Sequence, residues 1–438
     1  LITPSLEEMQ YVATEMQKDA HFRIRKIPLL IGGATTSRVH TAVKIAPHYE
    51  GPVIYVPDAS RSVSVAQSLL SEQASKYIAD LNSDYVKVRE QHARKKQVPL
   101  WPLARARANK TPIEWATYTP PVPKFIGRRV FKNFDLAELA RYIDWGPFFQ
   151  TWDLAGPFPA ILKDQVVGAE AVRVYADGQR MLKRLIEGRW LTANAVLGLY
   201  PANTVNDDDI ELYTDETRSQ VAMTWYGLRQ QTEKQAVPGP DGQPQMRPSR
   251  CLADFIAPKN EAIKSDGICH KADYIGVFAV TTGLGSEKKE KYFADDHDDY
   301  SSIMLKALAD RLAEAFAECL HERVRRDLWG YAAQEQLDSA DLIAEKYRGI
   351  RPAPGYPACP DHSVKQAMFN LLQCQDIGMG LTESLAMTPA ASVSGLYLSH
   401  PEATYFNVGK IGEDQVKELA RRRGQALPDV QRLLAPNL

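Results

Sequence analysis

The segment Arg351-Pro352-Ala353-Pro354-Gly355-Tyr356-Pro357-Ala358-Cys359-Pro360-Asp361-His362 constrains this chain more than any other. Each of its four prolines locks φ near about −65° and removes a backbone donor, so the run is neither a helix interior nor a central strand. It must be a stiff, preshaped loop. The residues between the prolines keep their N–H groups, and all keep a C=O. Arg351 adds a planar fork suited to a carboxylate, and Tyr356 adds an aromatic face with a polar tip. A small-molecule cradle needs such parts. Composition alone fits a plainer role better, a proline-stiffened connector over a helix end.

At 438 residues the chain suggests two or three domains of about 150 residues each. Its 53 basic and 54 acidic residues leave a net charge of −1, which excludes a global field for nucleic acid or a membrane surface. No apolar run approaches the roughly 20 residues that span a bilayer, and no signal-peptide pattern follows Leu1. The expectation is a cytoplasmic protein, cut from something longer. Five scattered cysteines (251, 269, 319, 359, 374) without a Cys-x-x-Cys pair indicate neither a disulfide framework nor structural zinc. Cys319 and His321, two apart on a helix, point to different faces and do not chelate.

Three regions follow from the patterning. Residues 1–85 read as α/β: a helix near Ser5 with Glu8 in the capping-box position, an apolar strand Ile27 to Ile31, the Gly32-Gly33 turn, and a helix capped by Thr35, Thr36 or Ser37 that Pro47 ends. Val53 to Val56 supply a second strand, and a helix near 61–72 follows. This is a βαβ unit, whose ligand edge lies at the carboxyl ends of the strands. Gly32-Gly33 lacks both G-x-G-x-x-G and a Walker lysine, so neither dinucleotide nor triphosphate is favoured. Residues 86–124, basic and then proline-interrupted, read as a linker. Residues 125–438 read as a larger α+β domain with a mainly antiparallel sheet. Its clearest helix runs from Ser301 to Leu328, with Leu305, Leu308, Leu312, Phe316, Leu320 and Val324 on one stripe. Val277 to Val280 and Val393 to Leu398 are its strand candidates, and 236–248 is an exposed loop. The run Asp295 to Asp299 suits a solvated turn capping the long helix better than a metal site.

The proline run closely resembles the S-adenosylmethionine-binding loop in the activation domain of cobalamin-dependent methionine synthases. Tyr142-Ile143-Asp144-Trp145, Pro147-Phe148-Phe149, Thr151-Trp152, Ser394-Gly395-Leu396-Tyr397 and Ser399-His400-Pro401 resemble the same family in the same order. So do Leu1-Ile2-Thr3-Pro4-Ser5 and Gly32-Gly33-Ala34-Thr35-Thr36-Ser37. The resemblance implies that residues 1–85 are the later part of a flavodoxin-like (Rossmann-like) cobalamin-binding domain, with Thr3, Gly32, Gly33 and Ala59 near the corrin or its nucleotide tail. The family's Asp-x-His-x-x-Gly motif is absent. No histidine here inherits cobalt ligation, and the fragment alone should bind cobalamin poorly. The zinc of the parent enzyme belongs to no part of this chain.

For S-adenosylmethionine, the resemblance maps Asp144, Arg351, Ala353, Gly355, Tyr356, Tyr405 and Phe406 onto ligand-binding positions. Arg351 suits the carboxylate, the carbonyls of Ala353 and Gly355 suit the ammonium or adenine amine, and Tyr356 can face the sulfonium. Asp144 has an alternative use as a cap for a helix near Pro147. Phe406 can stack but cannot donate. Glu314 and Glu345 correspond to acidic positions near the site, with a solvated salt bridge as the other reading of Glu314. His362 is a polar contact for cobalamin during reactivation.

The implied parent activity is methyl transfer from methyltetrahydrofolate through cobalamin to homocysteine. This part would reductively methylate inactive cob(II)alamin, with S-adenosylmethionine as methyl donor and flavodoxin or a similar reductase supplying the electron. The upstream domains of the same polypeptide are the other partners. No catalytic acid or base is assigned, because positioning carries the reaction. Two alternatives stand beside this reading. One is a stand-alone S-adenosylmethionine-dependent methyltransferase, although no glycine-rich nucleotide-binding turn is found in the larger domain. The other is a non-catalytic docking module for a separate corrinoid protein, against which the partial cobalamin fold argues.

Overall fold

The computed structural model describes residues 4–32, 36–56, 59–94, 99–238, 242–259 and 272–438. The chain divides into two compact units. One is Leu1–Pro99 with Pro428–Pro436 and Leu438, and the other is Leu100–Leu427 with Asn437.

In the smaller unit, helix α1 (Pro4–Lys18) precedes strand β1 (Leu29–Gly32), which pairs in parallel with β2 (Val53–Val56), Leu29 opposite Val53 and Gly32 opposite Val56. The first helix begins at Pro4, so Ser5 lies inside it rather than before it. Ser37 supplies the expected cap, its hydroxyl accepting from the His40 N–H at 3.1 Å. Pro47 sits in a closing 3₁₀ turn, Ala46–His48, after which the chain extends. Only Ile31 of β1 is buried, since β1 has β2 as its one ladder partner among the described residues. Helices α2 (Ala59–Leu70) and α3 (Ala74–Arg94) follow. The basic stretch from Lys87 to Arg94 forms the last part of α3. The stretch that follows Pro99 belongs to the larger unit, where Trp101, Leu103 and Ala106 are buried.

The larger unit is built on one antiparallel sheet. Its longest strands, β4 (Thr192–Val205) and β7 (Asp273–Leu284), are buried along nearly their whole length. A strand so uniformly apolar needs cover on both faces, and it has it. The other strands are β3 (Gly127–Phe131), β5 (Asp209–Tyr213), β6 (Val221–Tyr226) and β8 (Ser392–Tyr397). The order is β8-β7-β4-β5-β6, with β3 also pairing β4. Leu197 and Leu199 of β4 and Phe278 and Val280 of β7 pack with Leu308, Leu312 and Phe316 of α6 (Asp299–Arg323) and with Val174, Leu182 and Leu185 of α5 (Gly168–Glu187). Their neighbours Val196, Val277 and Ala279 face the other way, onto Met368, Phe369 and Leu372 of α7 (Val364–Leu372). The two-residue alternation of the strands thus feeds two separate cores.

The long helix agrees with its predicted stripe, and Asp298 caps it by accepting from the Ser301 N–H at 2.9 Å. It ends at Arg323, and Val324–Leu328 continue as a wider π-type turn. Segment 236–248 holds two short exposed strands, Ala236–Pro238 and Pro244–Met246, with residues 239–241 outside those described. The described cysteines are all free and buried, and Cys269 lies outside the described residues. No helix among the described residues is long and apolar enough to cross a membrane.

The proline loop hangs on the edge strand β8. Ile350 and Leu398 exchange two main-chain hydrogen bonds of 3.0 Å, and the Leu396 N–H donates to the Pro352 carbonyl at 2.9 Å. Gly395 permits this approach, since a Cβ there would lie 2.7 Å from the Pro352 oxygen and 2.8 Å from the Phe278 ring. Gly395→Ala is therefore expected to cost about 1–3 kcal/mol through forced displacement of the loop or ring, measured by urea unfolding.

Candidate ligand-binding site

Behind the edge strand the loop closes on itself. The Tyr356 N–H donates to the Ala353 carbonyl at 3.1 Å, the Cys359 N–H to the Tyr356 carbonyl at 2.9 Å, and the Gly355 N–H to the Cys359 carbonyl at 2.7 Å. The Ala353 carbonyl is thus engaged in a turn. The Gly355 carbonyl meets no main-chain donor among the described residues. Gly355 has φ +95°, and a Cβ there would fall 2.1 Å from the His362 ring. Its glycine is required twice, by conformation and by contact. His362 therefore packs beneath the loop, and burial lowers its pKa.

Two adjoining cavities open beside the loop, of about 380 and 460 Å³. Asp144, Glu314, Glu345, Arg351 and Tyr356 line the first; Ala353, Tyr405 and Phe406 line the second together with Glu314, Glu345, Arg351 and Tyr356. Residues expected together from distant parts of the sequence are brought together here. Gly355 and His362 line neither cavity. Thr3 and Gly33 lie outside the described residues, Gly32 ends β1, and Ala59 opens α2.

The first cavity is polar and acidic. Asp144, Glu314, Glu318 and Glu345 set four carboxylates against the guanidiniums of Arg311 and Arg351. Such a lining favours a cation that carries one carboxylate. Asp144 also accepts from the Gly146 N–H at 2.9 Å, at the first turn of helix α4 (Gly146–Gln150), which anchors it in place. The cap position itself is Trp145, with no side-chain cap bond, so Asp144 stands one residue before the cap expected of it while also lining the cavity. Glu314 lies close enough to Tyr356 to push its phenol pKa upward, and Tyr356 is 57% exposed at the rim. The second cavity is apolar, walled by Phe278, Pro352, Pro357, Val393 and Phe406, and suits a flat ring.

Arg351 is held from within. Its Nη1 donates to the Tyr347 hydroxyl at 3.1 Å and lies 3.2 Å from Nδ1 of His321, and its Nη2 pairs with Glu318 at 2.7 Å. His321 is fully buried between Arg351 and Arg325, which together with burial hold it neutral, its pKa well below the usual histidine range. With Nδ1 accepting from Arg351, the proton sits on Nε2, toward the Tyr331 hydroxyl 3.4 Å away. Tyr405 accepts the Arg351 backbone N–H on its hydroxyl at 3.0 Å and meets the Tyr347 hydroxyl at 3.2 Å. Its ring still lines the second cavity. Sequence reasoning passed over Glu318. It stands one turn from Glu314 on α6, and that four-residue spacing was the available signal.

Cys359 and Cys319 are buried, and burial pushes both thiols up to about 12. Cys319 approaches Glu138 at 3.6 Å whereas His321 turns to Arg351, in keeping with their separate faces. Among the described residues no cluster of three or more His, Cys, Asp or Glu is arranged to hold a metal ion.

The larger unit is an α+β domain with a cleft whose lining suits a small molecule bearing a carboxylate, excess positive charge and a flat apolar part. The sequence matches the family described as vitamin B12 dependent methionine synthase, activation domain, over residues 135–424, and the chain belongs to that family. It is also similar to a solved structure, the MetH reactivation domain bound to AdoHcy, at 50% identity and a TM-score of 0.71, covering 78% of this chain and 99% of that one.

Two outcomes test the site's construction. Gly355→Ala is expected to displace His362 and strain the loop, lowering stability by about 1–3 kcal/mol in urea unfolding. His400, 3% exposed against Trp115 and Tyr118, is pushed down to about 4 by burial, with Arg348 adding. Held neutral in the fold, it takes up a proton on unfolding below its ordinary value of 6.5, so its contribution falls with falling pH. His400→Gln should flatten the slope of unfolding free energy between pH 6.5 and 4 by up to one proton, about 1.4 kcal/mol per pH unit.

Proposed function

We propose that this chain binds S-adenosylmethionine in the paired cavities and serves the reductive reactivation of a methionine synthase. The single observation that carries the reading is the acidic cavity around Arg351. S-adenosylmethionine has a sulfonium, an ammonium and one carboxylate; the carboxylates of Asp144, Glu314 and Glu345 and a guanidinium held by Glu318 match that set, and the apolar cavity next to them suits adenine. The AdoHcy bound by the similar reactivation domain supports the same chemistry here.

In this reading Arg351 takes the α-carboxylate, Asp144, Glu314 and Glu345 balance the ammonium and sulfonium, and Phe406 and the loop prolines cover the adenine. Tyr356, exposed at the rim, stands beside the methyl group. Cobalamin, when bound, supplies the cobalt centre that receives that methyl. The sequence resemblance assigns Thr3, Gly32, Gly33 and Ala59 to its binding, and His362 to a polar contact during reactivation. What this chain contributes is position: a stiff loop, a gripped amino-acid end and an exposed methyl. The parent activity is a methyltransferase reaction from methyltetrahydrofolate to homocysteine, in the cytoplasm. Flavodoxin or a like reductase supplies the electron, and upstream domains of the same polypeptide supply the corrinoid. An antiparallel sheet in the larger unit counts against a stand-alone nucleotide-fold methyltransferase.

Calorimetric titration of the chain with S-adenosylmethionine should show one saturable site. Arg351→Ala should weaken binding by about tenfold or more, since it removes the carboxylate's charged partner. No saturable binding by the unaltered chain would overturn the reading.

A further inference from the structure

We infer that Glu318 is a positioning residue that aims the Arg351 guanidinium at the ligand carboxylate. The inference rests on the function proposed above and adds to it the residue that sets selectivity for an intact amino-acid tail.

An arginine side chain presents five N–H groups in a planar fork. In Arg351 the two on Nη1 are directed to Tyr347 and His321, and Nη2 is paired with Glu318 at 2.7 Å. Nε has no partner among the described residues, and Arg351 lines both cavities. Nε and one of the two Nη2 N–H groups are thus left without a partner among the described residues, and a carboxylate can take both. Without Glu318 the fork could rotate about its last side-chain torsions and lose that alignment.

Glu318 is itself built in. It is 8% exposed, and its other oxygen, Oε1, is buried without a hydrogen-bond partner, with Arg325 Nη1 at 3.7 Å. Arg325 is fully buried and its Nε donates to Glu335 at 2.6 Å, while the other Glu335 oxygen accepts the Arg348 backbone N–H at 3.4 Å. Charge alternates along this line, Arg351, Glu318, Arg325, Glu335, and it returns to the main chain three residues before the loop. A purely stabilising role would be poorly served by so much buried charge, because well-packed apolar residues do as well. A fixed direction for one guanidinium is what such a line does provide.

The test compares two probes on the full chain by calorimetry: S-adenosylmethionine, and its decarboxylated form, which keeps the sulfonium, ammonium and adenosine. Glu318→Gln keeps the shape and removes the charge. It should weaken S-adenosylmethionine about tenfold and the decarboxylated probe less than about twofold. Tyr347→Phe, a milder change that removes one of the two Nη1 partners, should show the same selective loss at about threefold. In an Arg351→Ala background neither variant should weaken S-adenosylmethionine further. Equal losses for both probes, or none, would overturn the inference while leaving S-adenosylmethionine binding intact. Failure of the unaltered chain to bind S-adenosylmethionine would overturn the proposed function and this inference together.

Discussion

The clasp between the proline loop and β8 is the constraint on which the site depends. Three main-chain hydrogen bonds join residues 350 and 352 to residues 396 and 398, and a fourth runs from the Arg351 N–H to the Tyr405 hydroxyl. Prolines cannot extend a ladder, which confines them to sheet edges. Here that restriction is used: β8 is an edge strand, and the loop covers it without adding a strand that could pair further. Arg351 then emerges between two clasped residues, with little freedom at its Cα. Its side chain reaches inward past α6, where Glu318 and His321 meet it.

Charge is handled differently on the two sides of the loop. Inside, each buried charge has an opposite or a neutral acceptor: Arg351 with Glu318, Arg325 with Glu335, and His321 uncharged between the two arginines. On the cavity side, carboxylates outnumber guanidiniums. That imbalance would be costly for an empty interior, yet it is tolerable in a solvated cleft and is relieved by a cationic guest. The wall between the two regimes is a single side chain, Arg351.

Much of this was legible in the sequence, and the reasons are local. The prolines of 351–362 could describe only a stiff loop, the stripe from Leu305 to Val324 only a buried helix face, and Val277–Val280 and Val393–Leu398 were apolar enough to read as strands. β4 was not legible. It holds Gly198 and Pro201, and proline within an apolar run argues against a central strand. Pro201 is tolerated because β3 pairs β4 only through Leu199 and β5 only from Ala202, so no ladder donor is needed on that side. The inner partners of Arg351 were hidden for another reason. Tyr347, His321 and Glu318 lie 4 to 33 residues away, and only the packing of α6 against the sheet brings them to one atom group. The capping of α6 by Asp298 and the anchoring of Asp144 by Gly146 were visible as local patterns, since both bonds span two or three residues.

The placement of the loop at a margin also sets how the molecule breathes. Amides of β4 and β7 sit under two apolar cores and are released only when the whole unit opens. Those at Leu396 and Leu398 are secured by a strap along one rim, which can lift while the centre stays shut. Protons on these two amides therefore trade with solvent sooner than those of the central ladder, and a guest seated against the strap slows that trade selectively. The domain is rigid where it is thick and yields where it meets its ligand.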